Sequence, residues 1–517
     1  MNGAGSVLGT AVGAGVEVCF ANPGTTEMPL VRALDEVRGM RAVLATFEGV
    51  CSGAADGYAR MLRRPALTLL HLGPGLSNAL SNLHNARRAR SPVVNLVGDH
   101  ATWHAAVDAP LSSDAATLAR PVSCWVRSSA TAREAAHDAA EAIAAACGAP
   151  GGVATLLLPA DCQWGEAAGP VAPIAPRPFR AARPEQVGEA AAALQAGRPA
   201  ALHLGGRALS ERGQWAAARV AARSGCRVLC EVFPARMERG AGLPRVERMP
   251  YFPERVGAAL AGLETLVLAG ATEPVAFFGY PGTPSRLTPE GCRLVALAEP
   301  SDDAEEALEA LAAALDAPPA SPALAFAAKV PPEPEGPLTP QTVGAVLART
   351  QPEGTILVDE SGTTGASYFH RAAASPRHTL LTLTGGSLGF GPACATGAAI
   401  ACPDRVVIDF QGDGSALYTL QALWTQAREQ LHVVTVICAN GGYRILEEEL
   451  ARAGVANPGP QARSLTRLAP PAIDFAQLAR GLGVPGTRVD TAGAFRDALA
   501  RAVAEPGPHL VEVRMGA

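Results

Sequence analysis

The sequence predicts an α/β protein of three domains, each built on a parallel sheet. Three observations lead there. The chain has 517 residues, roughly three domains at about 150 residues each. Short, continuous apolar runs alternate with alanine-rich helical patterns throughout. Two proline-rich stretches without periodicity cut that alternation into three pieces. Strands buried on both faces read as unbroken apolar runs, and the helices between them cover those faces.

The first proline-rich stretch holds Pro170, Pro173, Pro176, Pro178 and Pro184, and the second, residues 318–337, holds seven prolines. Both read as extended linkers. The expected domains are residues 1–170, 185–317 and 338–517. In the first, strands are expected at 67–72, 93–97 and 153–158. In the second they are expected at 200–204, 227–232, 265–268 and 293–297. In the third they are expected at 355–358, 406–410, 433–438 and 509–513. In such domains ligands sit beyond the carboxyl ends of the strands.

Composition excludes several classes. Lys+Arg is 43 and Asp+Glu is 48, a net charge of −5, which argues against a nucleic-acid partner. With 48% hydrophobic and 18% charged residues, the chain is not a disordered acidic one, and subunit contacts are expected to hide part of its surface. Residues 1–16 are uncharged but follow no basic segment, so no secretory signal is expected. The longest uncharged stretch, 379–403, holds five glycines and two prolines, which is wrong for a membrane helix. The eleven cysteines lack paired spacing and read as buried, reduced thiols of a cytoplasmic protein.

The chemistry begins at Gly412-Asp413-Gly414-Ser415, which follows the run 406–410. Glycines let a backbone approach a phosphate, and a helix start offers N–H groups. A bare carboxylate there would repel a diphosphate unless a divalent cation lies between them, and Mg²⁺ is commonly held by few protein oxygens plus substrate phosphates. Alone, Gly-Asp-Gly is an ordinary loop. The second strand, 433–438, ends at Ala439-Asn440-Gly441-Gly442-Tyr443. Asn440 follows Asp413 by 27 residues, one strand–helix–strand unit, so both emerge from neighbouring strand ends. The Asn440 side-chain oxygen and the Gly442 carbonyl can complete an oxygen shell.

This pair resembles the motif of thiamine diphosphate (ThDP) enzymes, Gly-Asp-Gly followed one unit later by Asn-Asn. Ala439 replaces the first Asn of that pair, and the resemblance puts Mg²⁺ on Asp413, Asn440 and Gly442. Thr46-Phe47-Glu48-Gly49, followed by Ala54-Ala55-Asp56-Gly57-Tyr58-Ala59-Arg60, resembles the segment with the family's catalytic glutamate. Glu48 would then hydrogen-bond N1′ of the aminopyrimidine, a role that needs a poorly solvated carboxyl. Gly385-Gly386-Ser387-Leu388-Gly389-Phe390-Gly391-Pro392 resembles the segment that bends the cofactor, with Leu388 between the rings and the Gly386 carbonyl at the 4′-amino group. Asp359-Glu360-Ser361-Gly362-Thr363-Thr364 resembles the other diphosphate loop, with Gly362 and Thr363 at the phosphates. Gly412, Gly414, Ser415 and Tyr443 complete the implied cofactor contacts.

The resemblance spans nearly the whole chain and implies pyrimidine-binding, Rossmann-like central and diphosphate-binding domains of the 2-oxo acid decarboxylase and acetolactate synthase group. Asn22-Pro23-Gly24-Thr25-Thr26-Glu27 and Leu69-Leu70-His71 are similar to benzoylformate decarboxylase, which implies that Thr25 and His71 face substrate. That enzyme's second catalytic histidine has no counterpart, because Phe277-Phe278-Gly279-Tyr280-Pro281 occupies its region. Leu72-Gly73-Pro74-Gly75, Asn85-Ala86-Arg87-Arg88-Ala89-Arg90 and Gly98-Asp99-His100 resemble acetolactate synthase large subunit-like chains. True synthases carry Glu-Gln where Glu48 is followed here by Gly49.

The resemblance implies a ThDP- and Mg²⁺-dependent enzyme that decarboxylates a small 2-oxo acid through a ThDP enamine, or joins that enamine to a second carbonyl compound. It also implies a homodimer or homotetramer with cofactors at subunit interfaces. His100 and His104, four apart, could share a helix face, where they would wall a pocket rather than form a metal pair. Gly205-Gly206 lacks the full phosphate-binding fingerprint, which argues against a nicotinamide or flavin site and against a dehydrogenase. A non-catalytic paralogue would have lost Glu48, Asp413 or Asn440, and all three are present.

Overall fold

The computed structural model describes every residue except Ala328, Pro331 and Ala517. Ala328 and Pro331 belong to the second expected linker, so that part of it lies outside the described residues. Backbone contacts divide the chain into two units. One comprises Met1–Arg177, Val330–Ala372 and Leu383–Ala517, and the other Pro178–Lys329 and Ala373–Thr382.

Within the first unit, the amino-terminal sheet consists of β1 (Val18–Asn22), β2 (Arg41–Leu44), β3 (Ala66–His71), β4 (Val93–Asp99), β5 (Trp125–Ser128) and β6 (Val153–Pro159). Its order is β2-β1-β3-β4-β6-β5, and all pairs are parallel. The middle strands are Val- and Leu-rich and buried almost end to end, as a sheet covered on both faces requires. Helices Gly3–Gly13 and Ala135–Cys147 close one face, and Glu48–Leu62 and Leu72–Ala89 close the other. The run 67–72 stops as a strand at His71, and Leu72 opens a helix.

The second unit carries β7 (Ala200–Leu204), β8 (Arg227–Cys230), β9 (Met237–Arg239), β10 (Glu247–Arg248), β11 (Thr265–Ala269) and β12 (Arg293–Ala298). The order β10-β8-β7-β11-β12 is again parallel.

The carboxyl-terminal part contributes β13 (Thr355–Glu360), β14 (His378–Thr382), β15 (Val407–Gly412), β16 (Val433–Ala439), β17 (Gly486–Val489) and β18 (His509–Arg514). Strands β17-β18-β16-β15-β13 run parallel in that order. β14 groups with the second unit, where it lies antiparallel to β9. Three parallel-dominated sheets therefore make a three-domain α/β fold.

Inside the first unit, helix Gly391–Ala401 crosses Glu48–Leu62 closely. A Cβ on Gly397 would run into the Ala54 carbonyl oxygen. The contact buries an ion pair: Arg60 Nη2 lies 2.6 Å from Asp56 Oδ2, and its guanidinium sits 4.6 Å over the Phe390 ring. Arg60 also donates to Thr384 Oγ1 at 3.1 Å, tying the first domain to the third.

Candidate active site

β15 and β16 are neighbours, with Gly412 opposite Cys438, so Asp413 and Asn440 leave adjacent strand ends together. Asp413 is buried, and its carboxylate accepts from Gly414 N at 2.9 Å and Gly441 N at 2.7 Å. Burial pushes its pKa above the ordinary carboxylate value, and these N–H groups oppose the shift. Asn440 Oδ1 accepts from Gly442 N at 3.0 Å, which aims that oxygen along the same turn. The Tyr443 ring covers Gly414. Ser415 turns its hydroxyl inward, to Gln411 Oε1 and Gly412 O, both at 3.0 Å.

Two further turns frame this corner. Gly386 has φ +73 and Gly362 has φ +58, and a Cβ at either position would meet open space. Thr363 and Leu388 beside them are half-buried. Among the described residues, no group of three His, Cys, Asp or Glu side chains could hold a metal ion. A cation here would therefore use a mixed shell of carboxylate, amide and carbonyl oxygens completed by ligand oxygens. The residues present fit a diphosphate–Mg²⁺ pair in that way.

The first domain brings a second set together at the ends of adjacent strands β2, β1 and β3. Glu48 opens helix Glu48–Leu62 with only 7% of its surface exposed, and Asn78 Nδ2 donates to its Oε2 at 3.0 Å. His71 ends β3. Its Nδ1 lies 2.8 Å from Glu27 Oε2 and 3.2 Å from Thr26 Oγ1. Glu27 is fully buried and also accepts from Gly24 N at 2.7 Å and Thr26 Oγ1 at 2.5 Å. The Glu27 carboxylate and the Thr26 hydroxyl both meet the ring at Nδ1 and so fix its orientation. Leu72, next in the chain, is held at φ +52, a left-handed conformation that costs a non-glycine residue about 1–2 kcal/mol. Thr25 is exposed beside this pair, so the hydroxyl that reaches His71 is that of Thr26.

Several participants escape sequence reasoning. Glu27 stands inside a quoted motif, yet its role depends on β1 lying beside β3. Asn78 lies on a helix surface with no motif of its own. Glu360, Asp409 and Gln411 form a buried polar cluster within apolar runs. The spacing of His100 and His104 misled: they flank a turn ahead of a short 3-10 helix, with rings 5.3 Å apart, because the backbone after β4 does not continue as an α-helix. Of the eleven free cysteines, Cys124 is exposed and Cys147, Cys292 and Cys402 are half-buried, so the thiols are not uniformly interior.

The structure holds two strand-end clusters, one of them the mixed-oxygen corner, and the comparisons with known proteins give the class of protein. Residues 1–117 match the family "Thiamine pyrophosphate enzyme, N-terminal TPP binding domain", and residues 361–513 match the corresponding C-terminal TPP binding domain. The chain belongs to the thiamine pyrophosphate enzymes. It is 51% identical over 99% of both chains to IlvX of Mycobacterium tuberculosis, whose name places it with acetolactate synthase large subunits. It is 31% identical to benzoylformate decarboxylase of Pseudomonas aeruginosa over 96% of each chain. Among solved structures, the 4-hydroxybenzoylformate decarboxylase of Rhodococcus jostii superimposes with a TM-score of 0.86 at 26% identity, over 100% of this chain and 99% of that one. The protein is thus an enzyme of this family, decarboxylase-like or acetolactate synthase-like. Among the described residues no helix is long and apolar enough to cross a membrane.

Proposed function

We propose that the protein uses ThDP with Mg²⁺ to decarboxylate a 2-oxo acid. When bound, ThDP supplies a carbon nucleophile and an electron sink for departing CO₂. Asp413, Asn440 and the Gly442 carbonyl hold the cation, while Gly362, Thr363, Gly412, Gly414 and Ser415 line the diphosphate. Gly386 and Leu388 set the bend between the rings, and Tyr443 covers the corner. Glu48, sheltered and held by Asn78, keeps a proton at the aminopyrimidine ring nitrogen. His71 and Thr25 face the substrate.

The observation that carries the decarboxylase reading is the buried Glu27 on His71 Nδ1. It holds the ring through Nδ1 and leaves Nε2 as the nitrogen that hands a proton to the reacting carbon and releases an aldehyde. The second reading is carboligation, in which a second carbonyl compound takes the place of that proton. It is supported by the 51% identity to IlvX and by its name. In both readings the active unit is a homodimer or homotetramer working in the cytoplasm.

A panel of 2-oxo acids tests the proposal. The expected result is CO₂ release that requires ThDP and a divalent cation and yields free aldehyde. Calorimetry should show ThDP binding that EDTA abolishes and that Asp413→Ala removes. Equal ThDP affinity with and without EDTA would defeat the metal assignment. Product that forms only when a second aldehyde or oxo acid is added would replace decarboxylation with carboligation.

A further inference from the structure

Beneath the cofactor-bending segment lie two buried acids that the proposed mechanism does not use. Glu360 is the last residue of β13 and sits in register with Gln411 of β15. Its Oε1 accepts from Gly389 N at 2.8 Å and its Oε2 from Gly391 N at 2.6 Å. Gln411 Nε2 lies 3.2 Å from that second oxygen and 2.7 Å from Asp409 Oδ1. Thr435 Oγ1 reaches Asp409 Oδ2 at 3.4 Å, and Ser415 Oγ holds Gln411 Oε1 at 3.0 Å. Any Cβ on Gly391 would run into the Gln411 amide and the Asp409 carboxylate, so the turn is built onto this cluster. From the other side, Asn85 Nδ2 donates to Ser387 O at 2.8 Å and Asn82 Nδ2 to Gly389 O at 3.0 Å.

We propose that Glu360 is the positioning residue of the 385–392 turn: its two carboxyl oxygens take the Gly389 and Gly391 N–H groups and so set the backbone that presents Gly386 and Leu388. The inference rests on the ThDP reading above and adds a residue to it. Two acids are expensive to bury, and a turn that needed only shape could rest on apolar side chains. A carboxylate offers what those cannot, two strong and directed acceptors spaced for alternate N–H groups on one turn. The amide of Gln411 ties that carboxylate to Asp409, so the acceptor pair cannot rotate away.

Glu360→Gln and Glu360→Ala test it. The amide keeps one acceptor and points a donor at the other N–H, so its effects should fall between wild type and Ala. In the apo-protein, hydrogen exchange of the 385–392 segment should rise about 10–100-fold in Glu360→Ala and less in Glu360→Gln. Exchange in β16 should stay unchanged. Calorimetry should show ThDP affinity falling over a similar range in the same order. A merely structural role would raise exchange throughout the third sheet. If both variants fail to fold, Gln411→Met, which removes the amide tether from the second carboxyl oxygen and leaves only the Gly391 N–H on it, should raise exchange in 385–392 alone. Wild-type protection and affinity in Glu360→Gln, or an unaltered turn in Gln411→Met, would overturn the inference while leaving ThDP binding intact. A wild-type protein that does not bind ThDP overturns both readings together.

Discussion

Glu48 shows how a single residue is prepared by its surroundings. It stands at the first turn of a helix, nearly out of water, with one oxygen held by Asn78. Glu48→Gln keeps the size and the contact but loses the exchangeable acid. The variant should still bind ThDP, and hydrogen–deuterium exchange at the thiazolium C2 should slow by about 10²–10⁴-fold. An unchanged exchange rate by NMR would refute the role. Glu360 makes a different prediction. Burial pushes its pKa from the ordinary 4.5 up to about 7, against the pull of the Gly391 and Gly389 N–H groups. The folded state therefore holds a proton that the unfolded chain has released between those two values. Stability of the apo-protein contributed by this group is present below pH 4.5 and is lost as pH rises through about 7. Urea midpoints measured from pH 5 to pH 7.5 should fall, and Glu360→Gln should flatten that slope.

At the scale of elements, the crossing of helices Glu48–Leu62 and Gly391–Ala401 decides where the first and third domains meet. Gly397 permits the approach because the Ala54 carbonyl occupies the space a Cβ would need. In an exposed helix, Gly→Ala gains about 1 kcal/mol of propensity. At Gly397 the overlap is with backbone, which cannot move aside, and overpacking costs roughly 1–3 kcal/mol. Gly397→Ala should therefore lower the calorimetric midpoint, whereas Gly188→Ala, on an exposed helical position with open space around it, should raise it. The same scale explains which strands were legible. The runs at 93–97, 153–158 and 433–438 belong to β4, β6 and β16, inner strands buried on both faces. β2, β5, β10 and β17 are short and partly exposed, so they carry no apolar run to recognise. β14, His-Thr-Leu-Leu-Thr, is buried throughout but has only two apolar residues, and it runs into the uncharged stretch 379–403, whose glycines and prolines draw the eye first.

For the whole molecule, the question is how complete one chain is. The described hydrogen bonds of the Glu48 carboxylate come from the first domain, and those of Asp413 from the third. Asn82 links the two domains within a chain, bridging Gly49 O at 2.9 Å and Gly389 O at 3.0 Å. A cofactor shared between subunits would pair Glu48 of one chain with Asp413 of another, in an isologous contact. Mixing inactive Glu48→Gln with inactive Asp413→Ala and exchanging subunits should then restore activity, since a heterodimer regains one intact site. No recovery after confirmed exchange would put both halves within one chain.

By itself the sequence determined the class of fold, the Gly-Asp-Gly and Asn-Gly-Gly strand ends and the segment around Glu48. Those features are local: a run, a turn or a helix start declares itself within a few residues, because backbone geometry and burial act along the chain. Only the tertiary structure decided which side chains serve those motifs. Glu27 reaches His71 because β1 and β3 are neighbours, and Gln411 bridges Glu360 and Asp409 because β13 and β15 pair in that register. Leu72 adopts its left-handed conformation with no mark in the sequence around it. A buried carboxylate takes its meaning from partners far along the chain, 44 residues for Glu27 and His71 and 51 for Glu360 and Gln411, and strand pairing brings both pairs within hydrogen-bond reach.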